Sequence, residues 1–175
     1  MDRILILLSI VILSGCSAGG AKFTESKFTK KPNKTEIYVF RLDKLAASGS
    51  CYEIGLNENS IGVLGNGGFI RKEIPPGKNV LSVPMTDKTN LELNFDGKEN
   101  ETLYFQFSIS LNDAKAIPDS KIISNGGDYI DPHGELLDFN SLFAQVEGLY
   151  ALNELKSLRD SSVKVSCMGT LNLEN

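Results

Sequence analysis

The 175-residue chain has no tryptophan, one histidine, three cysteines and a single long apolar run, broken once by Ser9, at its start. Each shortage excludes something. Without tryptophan and with aromatics scattered, a stacking platform for sugars or bases is unsupported. With His133 as the lone imidazole, a zinc shell of nitrogen and sulfur cannot be filled locally, and any Cys–His pair would have to use that residue. No Gly-x-Ser-x-Gly elbow, His-Glu-x-x-His or phosphate-binding glycine loop occurs, and Gly65-Asn66-Gly67-Gly68 lacks the lysine that would follow such a loop. The absence of a second long apolar run leaves only the first to involve a membrane.

That run covers residues 4–13, behind Met1-Asp2-Arg3. It is shorter than the roughly 20 residues needed to span a bilayer but fits the apolar region of a secretory signal. It ends in Leu13-Ser14-Gly15-Cys16, a small residue followed at once by cysteine, which looks like a bacterial lipobox. The implied chemistry is a thioether between diacylglycerol and the Cys16 thiol, cleavage before Cys16, and an amide-linked acyl chain on the new amine. More than one buried chain is what stable anchoring requires. Ser17 in place of aspartate favours the outer membrane, facing the periplasm, in a cell with two membranes.

Charge is uneven. Residues 17–34 carry five lysines against Glu25, a net of +4, whereas residues 35–175 carry 12 basic and 20 acidic residues, a net of −8. A basic segment suits an anionic lipid surface, although a solvated linker would have the same composition. The acidic body argues against nucleic acid as a partner. The sequence therefore divides into a signal peptide at 1–15, a lipidated flexible tether at 16–35 and one folded domain at 36–175. Hydrophobic content of 41% and charged content of 23% are ordinary for a globular domain.

With Cys16 lipidated, Cys51 and Cys167 remain in an oxidising compartment. Each lies in a segment that reads as a strand, so they are candidates for a disulfide; two buried free thiols are the alternative. A catalytic thiol at Cys51 would need His133, and nothing in the spacing supports that pair.

Ile37-Tyr38-Val39-Phe40-Arg41-Leu42 is rich in β-branched and aromatic residues and predicts a strand. Asn57-Glu58-Asn59 predicts a hairpin turn, and Asn66-Gly67-Gly68 and Pro76-Gly77 predict further turns. Leu91-Glu92-Leu93-Asn94-Phe95 alternates apolar and polar residues, as do Leu103, Phe105 and Phe107 with their neighbours. Short strands at close spacing predict a mainly β protein, an antiparallel β-sandwich. Phe139, Leu142, Phe143, Val146, Leu149, Tyr150, Leu152 and Leu155 recur at spacings of three and four. They predict one C-terminal covering helix over about 140–158, although Gly148 allows a strand feeding a helix from about Glu147. Alternation at 162–167 predicts a last strand.

The succession Ile37-Tyr38-Val39-Phe40-Arg41, Ile54-Gly55-Leu56-Asn57 with Ile61-Gly62-Val63-Leu64, Ile74-Pro75-Pro76-Gly77-Lys78-Asn79, and Asp96-Gly97-Lys98 before Leu103-Tyr104-Phe105 resembles a family of prokaryotic lipoproteins of unknown function. Its members open on a Tyr-Val-Tyr-Arg-like strand and continue with a hairpin of small residues, a Pro-Gly turn and a Gly-Lys turn before an aromatic strand. The resemblance covers residues 36–109 and implies a compact β-sandwich on a lipid tether. Arg41 and Gly77 map onto it most directly, and no catalytic residue comes with them.

The chain departs from that pattern at 112–138, which reads as a loop insertion with at most a short strand at Lys121-Ile122-Ile123. It gathers Asp128, Asp131, His133, Glu135 and Asp138. Asp128, Asp131 and Glu135 are the candidate ligands for a hard cation such as calcium, but their spacing is not that of a calcium-binding helix–loop–helix, and acidic surface loops are common. No cofactor is expected.

Three functions fit. One is a non-enzymatic envelope lipoprotein whose sandwich binds an envelope protein or supports an assembly. A second is a periplasmic module for a small ligand or cation, using loop 128–138. A third is a thiol-dependent or hydrolytic enzyme using Cys51 or His133.

Overall fold

The structure is a computed structural model that describes residues 18–25, 32–45, 47–84, 90–110, 121–130, 136–162 and 167, with the backbone alone at 110, 121–130 and 136–142. Two sheets face each other. Among the described residues ten strands run β1 (Thr35–Arg41), β2 (Tyr52–Leu56), β3 (Asn59–Leu64), β4 (Gly68–Ile74), β5 (Gly77–Pro84), β6 (Asn90–Gly97), β7 (Thr102–Ser110), β8 (Lys121–Ile130), β9 (Leu136–Val146) and β10 (Arg159–Asp160), with one helix, α1 (Gly148–Leu155), before β10. A six-stranded sheet has the order β10-β4-β1-β7-β9-β8, and a four-stranded sheet the order β3-β2-β5-β6. The described residues are mainly β, a sandwich with one helix among them, and the alternating segments predict the strands.

Side-chain alternation builds the space between the sheets. Ile37 and Val39 of β1, Leu103, Phe105 and Phe107 of β7, and Leu91, Leu93 and Phe95 of β6 all point into one core. Each of these side chains gains roughly 1.5–3 kcal/mol by leaving water, which is the main force clamping sheet to sheet. The opposite face of β1 carries Tyr38 and Phe40 into a second cluster with Phe69, Val146, Ala151 and Leu155. Thus β1 is buried along its whole length. It also has a parallel neighbour, pairing antiparallel with β4 and parallel with β7. Burial on both faces explains its unbroken Ile-Tyr-Val-Phe run.

Three expectations need correction. The helix does not occupy 140–158: residues 136–146 are strand β9 and α1 begins only at Gly148, which is the strand-then-helix alternative that Gly148 allowed. The three-and-four spacing misleads because the 143–146 end of β9 is covered on both sides, with Phe143 in the core between the sheets and Ala144 and Val146 in the second cluster. At eight residues α1 is too short to stand alone, so its packing holds it. Ala151 and Leu155 are buried, and the Tyr150 hydroxyl donates to Gln106 Oε1 at 2.8 Å.

The 112–138 segment is not all loop. Its residues 121–130 form β8, paired antiparallel with β9 from Lys121↔Gln145 to Ile130↔Leu136. Nor is 16–35 wholly a tether. Residues 18–23 lie against the open side of β10: Gly20 N donates to the Asp160 carbonyl, Asp160 N to the Ala21 carbonyl and Phe23 N to the Leu158 carbonyl, at 3.1, 2.9 and 3.1 Å. A Cβ on Gly20 would come within 2.1 Å of the Asp160 carbonyl oxygen, so only glycine permits that approach. Ala18 and Phe23 are buried. The composition of this stretch, small and polar, hides the docking because backbone groups do most of it.

Candidate functional site

The Ala18 end of the docked segment meets one buried residue, Asn66, through its backbone. Asn66 sits in the turn between β3 and β4, where its carbonyl accepts from Ala18 N at 3.2 Å. Its side-chain oxygen accepts from Lys44 N at 3.1 Å, and its Nδ2 donates to Asp43 Oδ1 at 2.6 Å. A single asparagine thus ties the N-terminal segment to the loop that follows β1. That loop is also gripped from inside. Arg41 is 3% exposed, donates from its two terminal nitrogens to the Ser50 and Ala47 carbonyls at 2.6 Å each, and lies 5.2 Å from the Tyr52 ring centroid. Burial pulls the Arg41 pKa down, against the pull of Tyr52 and Asp43. Ala47 takes a φ of 52°, a left-handed conformation costly for a residue with a Cβ. Arg41 and Asn66 therefore hold the 43–50 loop in place, and Leu45 stands out from it 95% exposed.

On the outer face of the six-stranded sheet lies a second polar group. Glu36 is 6% exposed and receives Arg71 Nε at 2.5 Å, the Thr102 hydroxyl at 3.3 Å and the Tyr38 hydroxyl at 3.5 Å. Arg71 also pairs with Glu73 at 3.2 Å. Burial first, then the Glu36 carboxylate, pushes the Tyr38 phenol up to about 12. Tyr104 stacks on it with centroids 5.5 Å apart and is raised by the same causes, with Glu25 adding to them. These groups satisfy one another. They tie β1, β4 and β7 together.

The four-stranded sheet carries an open groove of about 650 Å³ on its outer face. Glu53, Glu58 and Glu92 supply carboxylates, Asn57, Asn59 and Asn90 amides, and Ser60 and Ser82 hydroxyls. Asn57 is partly committed to the fold, since its Oδ1 accepts from Val80 N at 2.9 Å and its Nδ2 donates to Asn79 Oδ1 at 2.8 Å. The groove can exchange hydrogen bonds over a broad area.

The structure joins Cys51 to Cys167 in a disulfide, with Cα atoms 5.7 Å apart across 116 residues of chain. A bonded Cys51 has no thiolate to use as a nucleophile. Of the other sequence candidates, Cys16, Asp131, His133 and Glu135, and the predicted strand residues 163–166, lie outside the described residues. Asp128 lies in β8, opposite Asp138 of β9 in the register. Among the described residues no three His, Cys, Asp or Glu side chains come together as a metal site, and no helix is long and apolar enough to cross a membrane. Arg41 and Gly77 fall where a strand end and a turn need them: Gly77 has a φ of 116° at the start of β5.

Sequence reasoning passed over Asn66, Glu36 and Arg71. The signal for Asn66 was its place in a glycine-rich turn, which reads as turn chemistry alone. Glu36 and Arg71 meet only because β1 and β4 pair. The chain matches no protein-family model, no curated protein and no solved structure to which it was compared.

Proposed function

We propose that this protein is a non-enzymatic bacterial envelope lipoprotein, anchored through acylated Cys16, whose β-sandwich works by contact with another envelope protein. The observation that carries this reading is the position of Cys16. It closes an apolar signal-like run and precedes by two residues the point where Ala18 docks on Asn66. A short lead between lipid and body suits a domain presented at a membrane rather than one released from it. The Cys51–Cys167 bond suits an oxidising compartment. The solvent-facing groove, lined by carboxylates, amides and hydroxyls, has the mixed polar character of a contact surface rather than of an enclosed reaction site. The outer membrane, facing the periplasm, is the expected site, since Ser17 follows the cysteine. The resemblance to prokaryotic lipoproteins of unknown function points the same way.

Intact mass of the protein from its host is the direct test. The expected mature chain starts at Cys16 and carries diacylglycerol with an additional acyl group, while Cys16→Ser remains unprocessed. A full-length, unacylated wild-type chain overturns the anchored reading. Crosslinking in intact cells should then recover one specific envelope protein with the wild type; recovery of none counts against action by contact.

A further inference from the structure

We infer that the loop after β1 is a lipid-contacting ledge: Leu45 enters the membrane interface beside the acyl anchor, and Lys44 lies over anionic headgroups. This rests on the anchored reading of Cys16. Only Ser17 separates Cys16 from docked Ala18, a reach of at most about 7 Å from Cα to Cα. The acyl chains therefore hold the Ala18 end of the domain against the bilayer, with no slack to let the body turn away. Asn66 bonds both Ala18 and Lys44, so the loop and the anchor share one support.

A lone exposed leucine is ordinary on a protein surface. Leu45 differs in its place and in its backing. It projects 95% exposed from a loop that a buried guanidinium and a buried asparagine fix in place, next to the point where the chain leaves for the lipid. Among the described residues, the charged side chains on the stretches that meet here, 18–23, 41–45 and 158–160, are Lys22, Arg41, Lys44 and Arg159 against Asp43 and Asp160. Arg159 Nη1 is drawn to the Gly20 carbonyl at 3.2 Å, and Asp160 Oδ1 accepts from Ser162. The balance is a net positive charge on a chain whose folded part is acidic, which suits an anionic lipid surface.

The chain's lack of tryptophan makes the test specific. Leu45→Trp and Glu99→Trp each introduce a unique indole, the first on the ledge and the second at the opposite end of β1. There the 97–101 turn meets Thr35, whose hydroxyl donates to the Lys98 carbonyl at 2.8 Å. Seven residues of strand separate the two ends, about 20 Å. Both positions are exposed, so neither variant disturbs a core.

Each full-length variant is expressed in a bacterium, its acylation is verified by intact mass, and the mature protein is reconstituted in vesicles of phosphatidylethanolamine and phosphatidylglycerol carrying acyl-brominated lipid. The expected result is a blue shift and loss of most emission for Leu45→Trp, with Glu99→Trp bright and unshifted. Adding Asn66→Ala to Leu45→Trp should restore part of the emission. If both indoles stay bright, or both are quenched alike, in acylated protein bound to vesicles, the ledge is overturned and the anchor stands. Absence of acyl groups in the mass spectrum overturns the anchor and the ledge with it.

Discussion

Arg71 on β4 closes over the carboxylate of Glu36 on β1, burying the glutamate side chain to 8% exposure while its own stays at 19%. The pair crosses two strands at the register Glu36↔Glu73 and Tyr38↔Arg71, so the guanidinium reaches diagonally between carboxylates. Burial draws the Arg71 pKa down, but Glu36 and Tyr38 outweigh it and the net shift is upward. Arg71→Ala would leave a largely buried carboxylate with only hydroxyl donors among its named partners, Tyr38 and Thr102. The expected loss is roughly 2–4 kcal/mol, read as a lower urea midpoint at unchanged slope. A loss near zero would mean the pair is solvated in solution.

Tyr38 sets a pH limit. Its folded-state pKa of about 12 stands above the ordinary 10, so folding favours the neutral phenol. The resulting stability is fully present below pH 10 and is lost as pH rises through about 12. Phenolate absorbance should therefore show one tyrosine titrating near 12, and urea midpoints should fall between pH 10 and 12. In Tyr38→Phe the late step should vanish; its persistence would assign it to another residue.

The disulfide closes a loop of 116 residues. The chain-entropy treatment gives about 5 kcal/mol for a loop of that size, and removal of native disulfides typically costs 2–5. Cys51→Ala with Cys167→Ala is expected to lose stability in that range while keeping strand content by circular dichroism. Wild-type protein should show no free thiol at either position on alkylation and mass mapping; two alkylated cysteines would contradict the bond.

Docking of residues 18–23 can be separated from the rest of the fold. Gly20→Val places a side chain where the Asp160 carbonyl already sits, and Phe23→Ala removes a ring packed edge-on against Tyr38 and Phe69 at 5.8 and 5.7 Å. Phe23→Ala is expected to cost roughly 3 kcal/mol. In Gly20→Val, amide exchange at Gly20 and Phe23 should accelerate many-fold while Val39 and Phe105 remain protected. Uniform acceleration would mean the segment is integral to the whole domain.

How much of this could be read beforehand depended on how local each feature is. The alternation of Leu91 to Phe95 and of Leu103 to Phe107 is visible because one face of each strand meets the core and its neighbours alternate. The Asn57-Glu58-Asn59 turn is legible for the same reason; Asn57 and Glu58 take φ values of 48° and 69°, the left-handed pair that a tight hairpin demands. The end of β9 was obscured because Phe143 faces one core and Ala144 and Val146 the other, and apolar residues on both faces erase the period of two. The parallel pairing of β1 with β7 joins Glu36 to Thr102 and leaves no local mark. Of the candidate site, the pairing of the two domain cysteines was readable, whereas the Asn66 junction depended on three stretches of chain meeting.

The seam between residues 18–23 and 158–160 has a bearing on how the molecule is made. A polypeptide synthesised from its N-terminus exposes residues 18–23 long before their mates exist. Strand β1 waits too, until β7 arrives 66 positions later. Such distant closures slow maturation, and the opening residues find their seats only once the region around Asp160 has emerged. Arrested or clipped chains that stop short of it would carry an unclosed sheet margin, inviting neighbours to fill it.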